Sequence, residues 1–235
     1  MNIKAVLFDL DGTLLPMDND EFTKAYLRSL AEYMVKFEYE PQKFIKTIWN
    51  CVNAMVLNDG KQTNEKVFWN TFCTVYGKKA LRDIQHFEDY YKTDFQTVRA
   101  VSKPDVSAKT IVEKLKEKGI RIIIATNPFF PKIATESRID WAGLQLSDFE
   151  LVTTYENSSY CKPNPLYYKE ILKKQKLLPE ECLMVGNDFG EDMIARTIGM
   201  KVFLLTDYLI NKDNADINSF PHGDFGNLLE FIEKM

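Results

Sequence analysis

The sequence predicts an α/β protein: a doubly wound parallel sheet that carries an inserted, all-helical segment. Three observations predict it. Short apolar runs recur along the chain, and most are followed by a stretch with helical spacing, the order from which parallel sheets are built. Residues 18–99 interrupt that alternation with helical periodicity and no strand–turn–strand signal. Polar residues able to do chemistry fall just after successive apolar runs, where an open parallel sheet binds its ligand.

The first element is the nearly unbroken apolar run over residues 3–8, which reads as a buried parallel strand. Pro16 marks a break. Helical spacing then covers 21–37 through Phe22, Tyr26, Leu30 and Tyr33, and 41–56 through Phe44, Ile48, Val52 and Met55. Asn58-Asp59-Gly60 is a loop signal, and further helices are expected over 67–75 and 81–98. This segment holds half of the chain's aromatic residues. A cluster such as Phe68, Trp69, Phe72 and Tyr76 reads first as helix-bundle core and second as the lining of a substrate pocket.

Lys103-Pro104-Asp105 marks the return to the alternating pattern. A helix over 107–118, capped by Asp105 or Ser107 and ended by Gly119, precedes a second strand over 120–125. Asn127-Pro128 reads as an N-cap followed by proline at the first helical position, opening a helix to about Arg138. A third strand is expected over 149–153, a helix from Asn164-Pro165 to about Lys176, and a fourth strand over 182–185. A helix over 191–198 stopped by Gly199, a fifth strand over 201–205 and a helix over 224–234 complete the chain.

Composition narrows the function. The 235 residues are 45% hydrophobic and 27% charged, with a formal charge of -4, which speaks against general nucleic-acid or anionic-membrane binding. No apolar run approaches the roughly 18 residues of a membrane span, and the first residues are too short and too soon followed by charge for a secretion signal. Cys51, Cys73, Cys161 and Cys182 are scattered and read as reduced thiols of a cytoplasmic protein; His86 and His222 lie too far apart to suggest a zinc site.

Chemistry is concentrated at the strand ends. Asp9 and Asp11 follow the first run, and residues i and i+2 of an extended segment point the same way. Two carboxylates that close repel unless a cation lies between them or one holds a proton. In isolation the pair is also compatible with an ordinary Asp-Gly turn. Thr126 and Asn127 follow the second run, Lys162 the third, and Asn187, Asp188 and Asp192 the fourth. Singly, Thr126 reads as a helix-start hydroxyl, Lys162 as a solvated loop lysine, and Asp188 and Asp192 as helix-start acids. Together they suit a phosphate ester with a hard cation such as Mg²⁺. No P-loop and no dinucleotide fingerprint is present.

Four motifs in order, Asp9-Leu10-Asp11-Gly12-Thr13-Leu14, Ala125-Thr126-Asn127, Cys161-Lys162-Pro163-Asn164-Pro165 and Val185-Gly186-Asn187-Asp188 with Asp192, resemble those of the haloacid dehalogenase-like hydrolase superfamily over nearly the whole chain. Asn187 departs from the Gly-Asp common in that family, and Asp188 is taken as the equivalent acid. The resemblance implies a Rossmann-like core over 1–16 and 101–235 and a helical cap over 17–100. It also implies an Mg²⁺-dependent phosphatase for a small phosphorylated substrate, with Asp9 as nucleophile and Asp11 as general acid and base. Asp9, the Asp11 carbonyl and Asp188 would hold the metal. Thr126 and the Asn127 amide would bind phosphoryl oxygens, Lys162 would offset charge, and Asp192 would orient Lys162 or metal-bound water. Asp11 favours phosphate chemistry over dehalogenation. A phosphomutase and a non-catalytic module on the same fold are the competing readings. Substrate selection is expected from Asp18–Lys24 or from the loop near Asn53–Gly60, with hinges near Pro16 and Pro104.

Overall fold

The computed structural model describes residues 3–235. Six parallel strands form one sheet in the order β3-β2-β1-β4-β5-β6. They are β1 (Ala5–Phe8), β2 (Arg121–Ile124), β3 (Leu151–Val152), β4 (Cys182–Gly186), β5 (Lys201–Leu205) and β6 (His222–Gly223). The chain winds from β1 outward through β2 to β3, then crosses back to β4 on the other side of β1. That reversal places a crevice beyond the carboxyl ends of β1 and β4, the position at which doubly wound sheets bind ligands.

The apolar runs form these strands because both sheet faces are covered. Val6, Phe8, Ile122, Ile124, Leu183, Val185, Phe203 and Leu205 contribute to one core, and Ala5, Leu7, Ile123, Met184, Val202 and Leu204 to the other. This is the alternation of side chains along a strand, with no polar face. Helices α5 (Val106–Glu117), α6 (Lys132–Trp141) and α9 (Phe225–Glu233) contribute buried residues to the first core, and α7 (Pro165–Gln175) to the second.

Between β1 and β2 the structure is helical: α1 (Asn19–Met34), α2 (Pro41–Val56), α3 (Asn64–Tyr76) and α4 (Ile84–Lys92), with 3-10 turns between and after them. Phe22, Leu30, Phe44, Met55, Phe68, Phe72 and Phe87 are buried and belong to the same continuous core as the first sheet face. Phe68, Trp69 and Phe72 are buried and Tyr76 is partly buried against the same core, as the bundle-core reading expected, while Phe68 and Trp69 also wall a small cavity. The chain enters and leaves this insert side by side, with the Lys103 N–H donating to the Pro16 carbonyl at 2.8 Å and an antiparallel bridge from Met17 to Ser102.

Several expected elements differ. The helix read over 81–98 is broken: Lys78–Asp83 and Asp94–Val101 are 3-10 turns flanking α4. Thr93 ends α4 because its hydroxyl, together with its own N–H, bonds the Asp89 carbonyl and its backbone leaves the helical region. The expected cap at Asn127 is absent. α6 starts at Lys132, whose N–H is held by the Glu156 carboxylate at 2.9 Å, while the Asn127 side chain bonds elsewhere. The helix read over 191–198 begins earlier as the single turn α8 (Phe189–Asp192), capped by Asp188, and continues as a 3-10 turn to Ile198. The third strand is only two residues long, and β6 was not expected. Among the described residues no helix is long and apolar enough to cross a membrane.

Candidate active site

A cleft of about 730 Å³ opens beyond the ends of β1 and β4, and Asp9, Asp11, Thr126, Asn127, Asp188 and Asp192 all line it. Asp9 is anchored by its own N–H, which donates to the Val185 carbonyl at 2.9 Å. Gly12, with a φ of 76°, turns the chain where a Cβ would collide with the Asn187 amide. Asn187 points inward, accepting from the Thr13 hydroxyl at 3.0 Å and donating to the Tyr208 carbonyl at 2.6 Å. Both residues border the cleft, but Asn187 spends its amide on these two bonds, whereas Asp188, one residue on, brings a carboxylate to it.

Lys162 is 1% exposed and lies between two carboxylates, with Nζ 2.8 Å from Asp9 Oδ1 and 2.6 Å from Asp192 Oδ1. Burial acts to lower its pKa, but Asp192 and Asp9 outweigh it and hold the ammonium well above its ordinary range. Asp192 is fixed in turn by the Asp188 N–H at 3.0 Å. Gly186 is required beneath this arrangement, because a Cβ there would overlap the Asp192 carboxylate. Burial, with Asp192 and Asp11 adding repulsion, pushes Asp9 up to about 8 despite Lys162. Such a carboxyl is short of positive charge, the electrostatic mark of a site suited to a cation.

The Asn127 side chain does not project freely into the cleft. It accepts from the Lys162 N–H at 3.2 Å and donates to the Lys162 carbonyl and to Glu191 Oε2 at 2.9 Å, so it holds the lysine loop in place. Its backbone N–H has no hydrogen-bond partner among the described residues and remains available to an anion. The Thr126 carbonyl is braced by the hydroxyls of Thr153 and Tyr167, each at 2.8 Å.

Three features went unread in the sequence. Arg138, on α6 and wholly buried, pairs with Asp11 Oδ2 and lies 4.3 Å from the centroid of the Phe130 ring. A cation on the apolar face of a helix, four residues after Ala134 and next to Ile139, is the signal that could have found it. Glu191 lines the cleft, and burial pushes its carboxyl up to about 7. The loop after β5, with Thr206, Asp207 and Lys212, also lines the cleft, as the strand-end rule would have suggested had it been extended to β5. Of the two segments expected to select substrate, Asp18, Asn19, Asp20 and Thr23 face the cleft, whereas the loop near Asn53–Gly60 does not line it.

Comparisons with known proteins bear on the family and the fold. The family model described as haloacid dehalogenase-like hydrolase matches residues 3–196. A glyceraldehyde 3-phosphate phosphatase of Methanothermobacter thermautotrophicus is 26% identical over 222 residues, covering 92% of this chain and 91% of the relative. A phosphoglycolate phosphatase of Vibrio cholerae is 26% identical over 239 residues, covering 98% and 97%. In fold, a 2-haloacid dehalogenase from Pseudomonas syringae pv. Tomato superposes with a TM-score of 0.66 at 18% identity, over 99% of both chains. The chain belongs to the haloacid dehalogenase-like hydrolases, grouped by its curated relatives with that family's phosphatases.

Proposed function

We propose that the chain is an Mg²⁺-dependent phosphatase that hydrolyses a small phosphorylated metabolite through a phosphoryl-enzyme on Asp9. The observation that carries this reading is Lys162, buried between Asp9 and Asp192 at 2.8 and 2.6 Å, in a cleft that Asp11 and Asp188 also face. In the first step an Asp9 oxygen attacks phosphorus and the bond to the leaving oxygen breaks, while Asp11 delivers a proton to that oxygen. In the second, water attacks the phosphoryl group, Asp11 takes the water's proton, and Asp9 is released with inorganic phosphate. Lys162 offsets charge on Asp9 and on the phosphoryl oxygens, which the Thr126 hydroxyl and the Asn127 N–H also receive.

The residues present fit a hard divalent cation. Asp9 and Asp188 each engage one carboxylate oxygen within the protein, through Lys162 and through the Gly190 and Glu191 N–H groups, and each leaves the other oxygen free of hydrogen bonds among the described residues. No three His, Cys, Asp or Glu side chains form a metal cage among the described residues. The ion would therefore rest on these two carboxylates, the Asp11 carbonyl and water, a set that suits Mg²⁺. When bound, it would neutralise the repulsion between nucleophile and phosphate.

The helices over 17–100 act as a cap on the core of 1–16 and 101–235, and the paired crossings at Pro16 and Lys103 are its hinge. The glyceraldehyde 3-phosphate and phosphoglycolate phosphatases among the relatives support a small substrate. The four free cysteines fit a reducing cytoplasm. The test is phosphate release from p-nitrophenyl phosphate with and without Mg²⁺, for the wild type and Asp9→Asn. Mg²⁺-dependent release that is lost in a folded Asp9→Asn protein is expected; a folded and fully active variant refutes the assignment.

A further inference from the structure

Beside the cleft lies a second cavity of about 180 Å³, walled by Tyr26, Leu27, Phe68, Trp69, Phe130 and Tyr155 at the seam between α1, α3 and the loops after β2 and β3. An apolar cavity of about 150 Å³ accommodates a benzene molecule, so one aromatic ring fits here. Two observations separate this space from a packing void. Thr23, Phe129 and Phe130 line both the cavity and the cleft, and the Phe130 ring lies against the guanidinium that pairs with Asp11. The cavity thus begins one side chain away from the proposed general acid. In addition, Trp69 is 6% exposed, and its buried Nε1 meets no acceptor at full hydrogen-bond geometry among the described residues, only the Tyr155 side chain at its margin. Buried donors are almost always paired, and a mostly apolar cavity with one or two unspent polar groups is how small-molecule sites are built.

Resting on the phosphatase reading, we propose that this cavity receives the apolar body of the leaving group. The substrate is then a phosphate monoester whose alcohol carries a single aromatic ring, or a branched alkyl group of that size, with an acceptor atom placed to take the Trp69 N–H. Its phosphoryl end occupies the cleft at Asp9, and its apolar end passes Phe130 into the cavity. Esters as small as phosphoglycolate fill only the cleft.

The experiment is calorimetric titration of the Mg²⁺-loaded protein with non-hydrolysable phosphonates. The best of phenyl-, benzyl- and 3-phenylpropylphosphonate is expected to bind at least about tenfold more tightly than methylphosphonate, the discrimination that burying part of a ring provides. Val52→Trp, on the half-buried face of α2 that lines the cavity, fills the space and is expected to remove that preference while leaving methylphosphonate unchanged. Trp69→Phe keeps the apolar wall and removes the donor. It is expected to abolish the extra affinity of a ring bearing an acetyl group over the plain ring. Equal affinities in the wild type, or no binding of any phosphonate, overturn the proposal, as does a preference that survives in a folded Val52→Trp protein. Phosphate release from methyl phosphate reports on the chemistry separately. Turnover without aryl preference removes only the cavity assignment, and aryl preference without turnover of any ester removes only the phosphatase reading.

Discussion

Arg138→Met tests whether the buried guanidinium is held for the sake of Asp11. Methionine keeps much of the apolar stem and deletes the charge. Arg138 is 1% exposed in its side chain and Asp11 17%, so the pair is close to fully desolvated. Removing one partner of such a pair leaves an uncompensated charge and costs about 3–5 kcal/mol. The loss of the stacking on Phe130, at 4.3 Å, adds about 1 kcal/mol. Among the described residues Asp11 Oδ1 is already buried without a partner, so no second hydrogen bond softens the change. Protonation limits the cost. Burial already raises the Asp11 carboxyl, with Arg138 and Lys162 holding it down, and without Arg138 it takes a proton at about 1.4 kcal/mol per pKa unit. The expected loss is about 3 kcal/mol near neutral pH and less near pH 5, where neutralising Asp11 is easier. Urea unfolding of the wild type, Arg138→Met, Asp11→Asn and the double variant is the assay. The double variant is expected to be more stable than the two single losses predict, by about 2 kcal/mol. A coupling below about 0.5 kcal/mol would refute the reasoning and leave packing alone as the reason for Arg138.

Three further outcomes follow from the same geometry. Asp9 is raised from the ordinary 3.8 to about 8 by burial and by its carboxylate neighbours, so the metal-free native state holds a proton there that the unfolded chain releases. Its contribution to stability is present in full below the unfolded value and is lost as pH rises through about 8; the unfolding midpoint of the metal-free protein should fall across that window, and a rise would contradict the assignment. Gly186→Ala drives a methyl group into the Asp192 carboxylate and should cost about 1–3 kcal/mol in thermal or urea unfolding, with lower kcat as Asp192 leaves Lys162. Asn64, wholly buried at the start of α3, reaches the Pro128 and Tyr160 carbonyls at 3.4 Å and Cys161 Sγ at 3.2 Å; Asn64→Leu should cost about 1–3 kcal/mol, and amide exchange should quicken over α3 and the Lys162 loop together.

The parts of the fold that could be read early are those set by local chemistry. The run from Ala5 to Phe8 is buried at every position, and such a run has no stable home except a sheet covered on both sides. Pro41–Val56 formed the helix its periodicity indicated, because Glu40 caps the start and the apolar stripe through Phe44, Ile48 and Met55 meets the core. Asn127-Pro128 misled because a local rule was outweighed from a distance: the Asn127 side chain is taken by the Lys162 backbone, and Glu156 supplies the cap four residues later. The break of α4 at Thr93 was hidden because a Thr hydroxyl competing for the Asp89 carbonyl leaves the hydrophobic period almost unchanged.

The sequence by itself determined the order of elements and the identity of the polar residues at the strand ends, since both depend on spacing along the chain and on residue type. It placed Asp9, Asp11, Thr126, Asn127, Lys162, Asp188 and Asp192 around one crevice; in the structure six of them line it, and Lys162 lies buried behind Asp9. Only the tertiary structure decided how the polar groups pair: Lys162 with Asp9 and Asp192 and Arg138 with Asp11 as ion pairs, and the Asn127 amide with Glu191 as a hydrogen bond. Those pairings join residues 30 to 153 positions apart, or more than 60 in the cases of Arg138 and Asn127. Coulomb interaction depends on distance and burial in space, and neither is encoded in the local period of a chain.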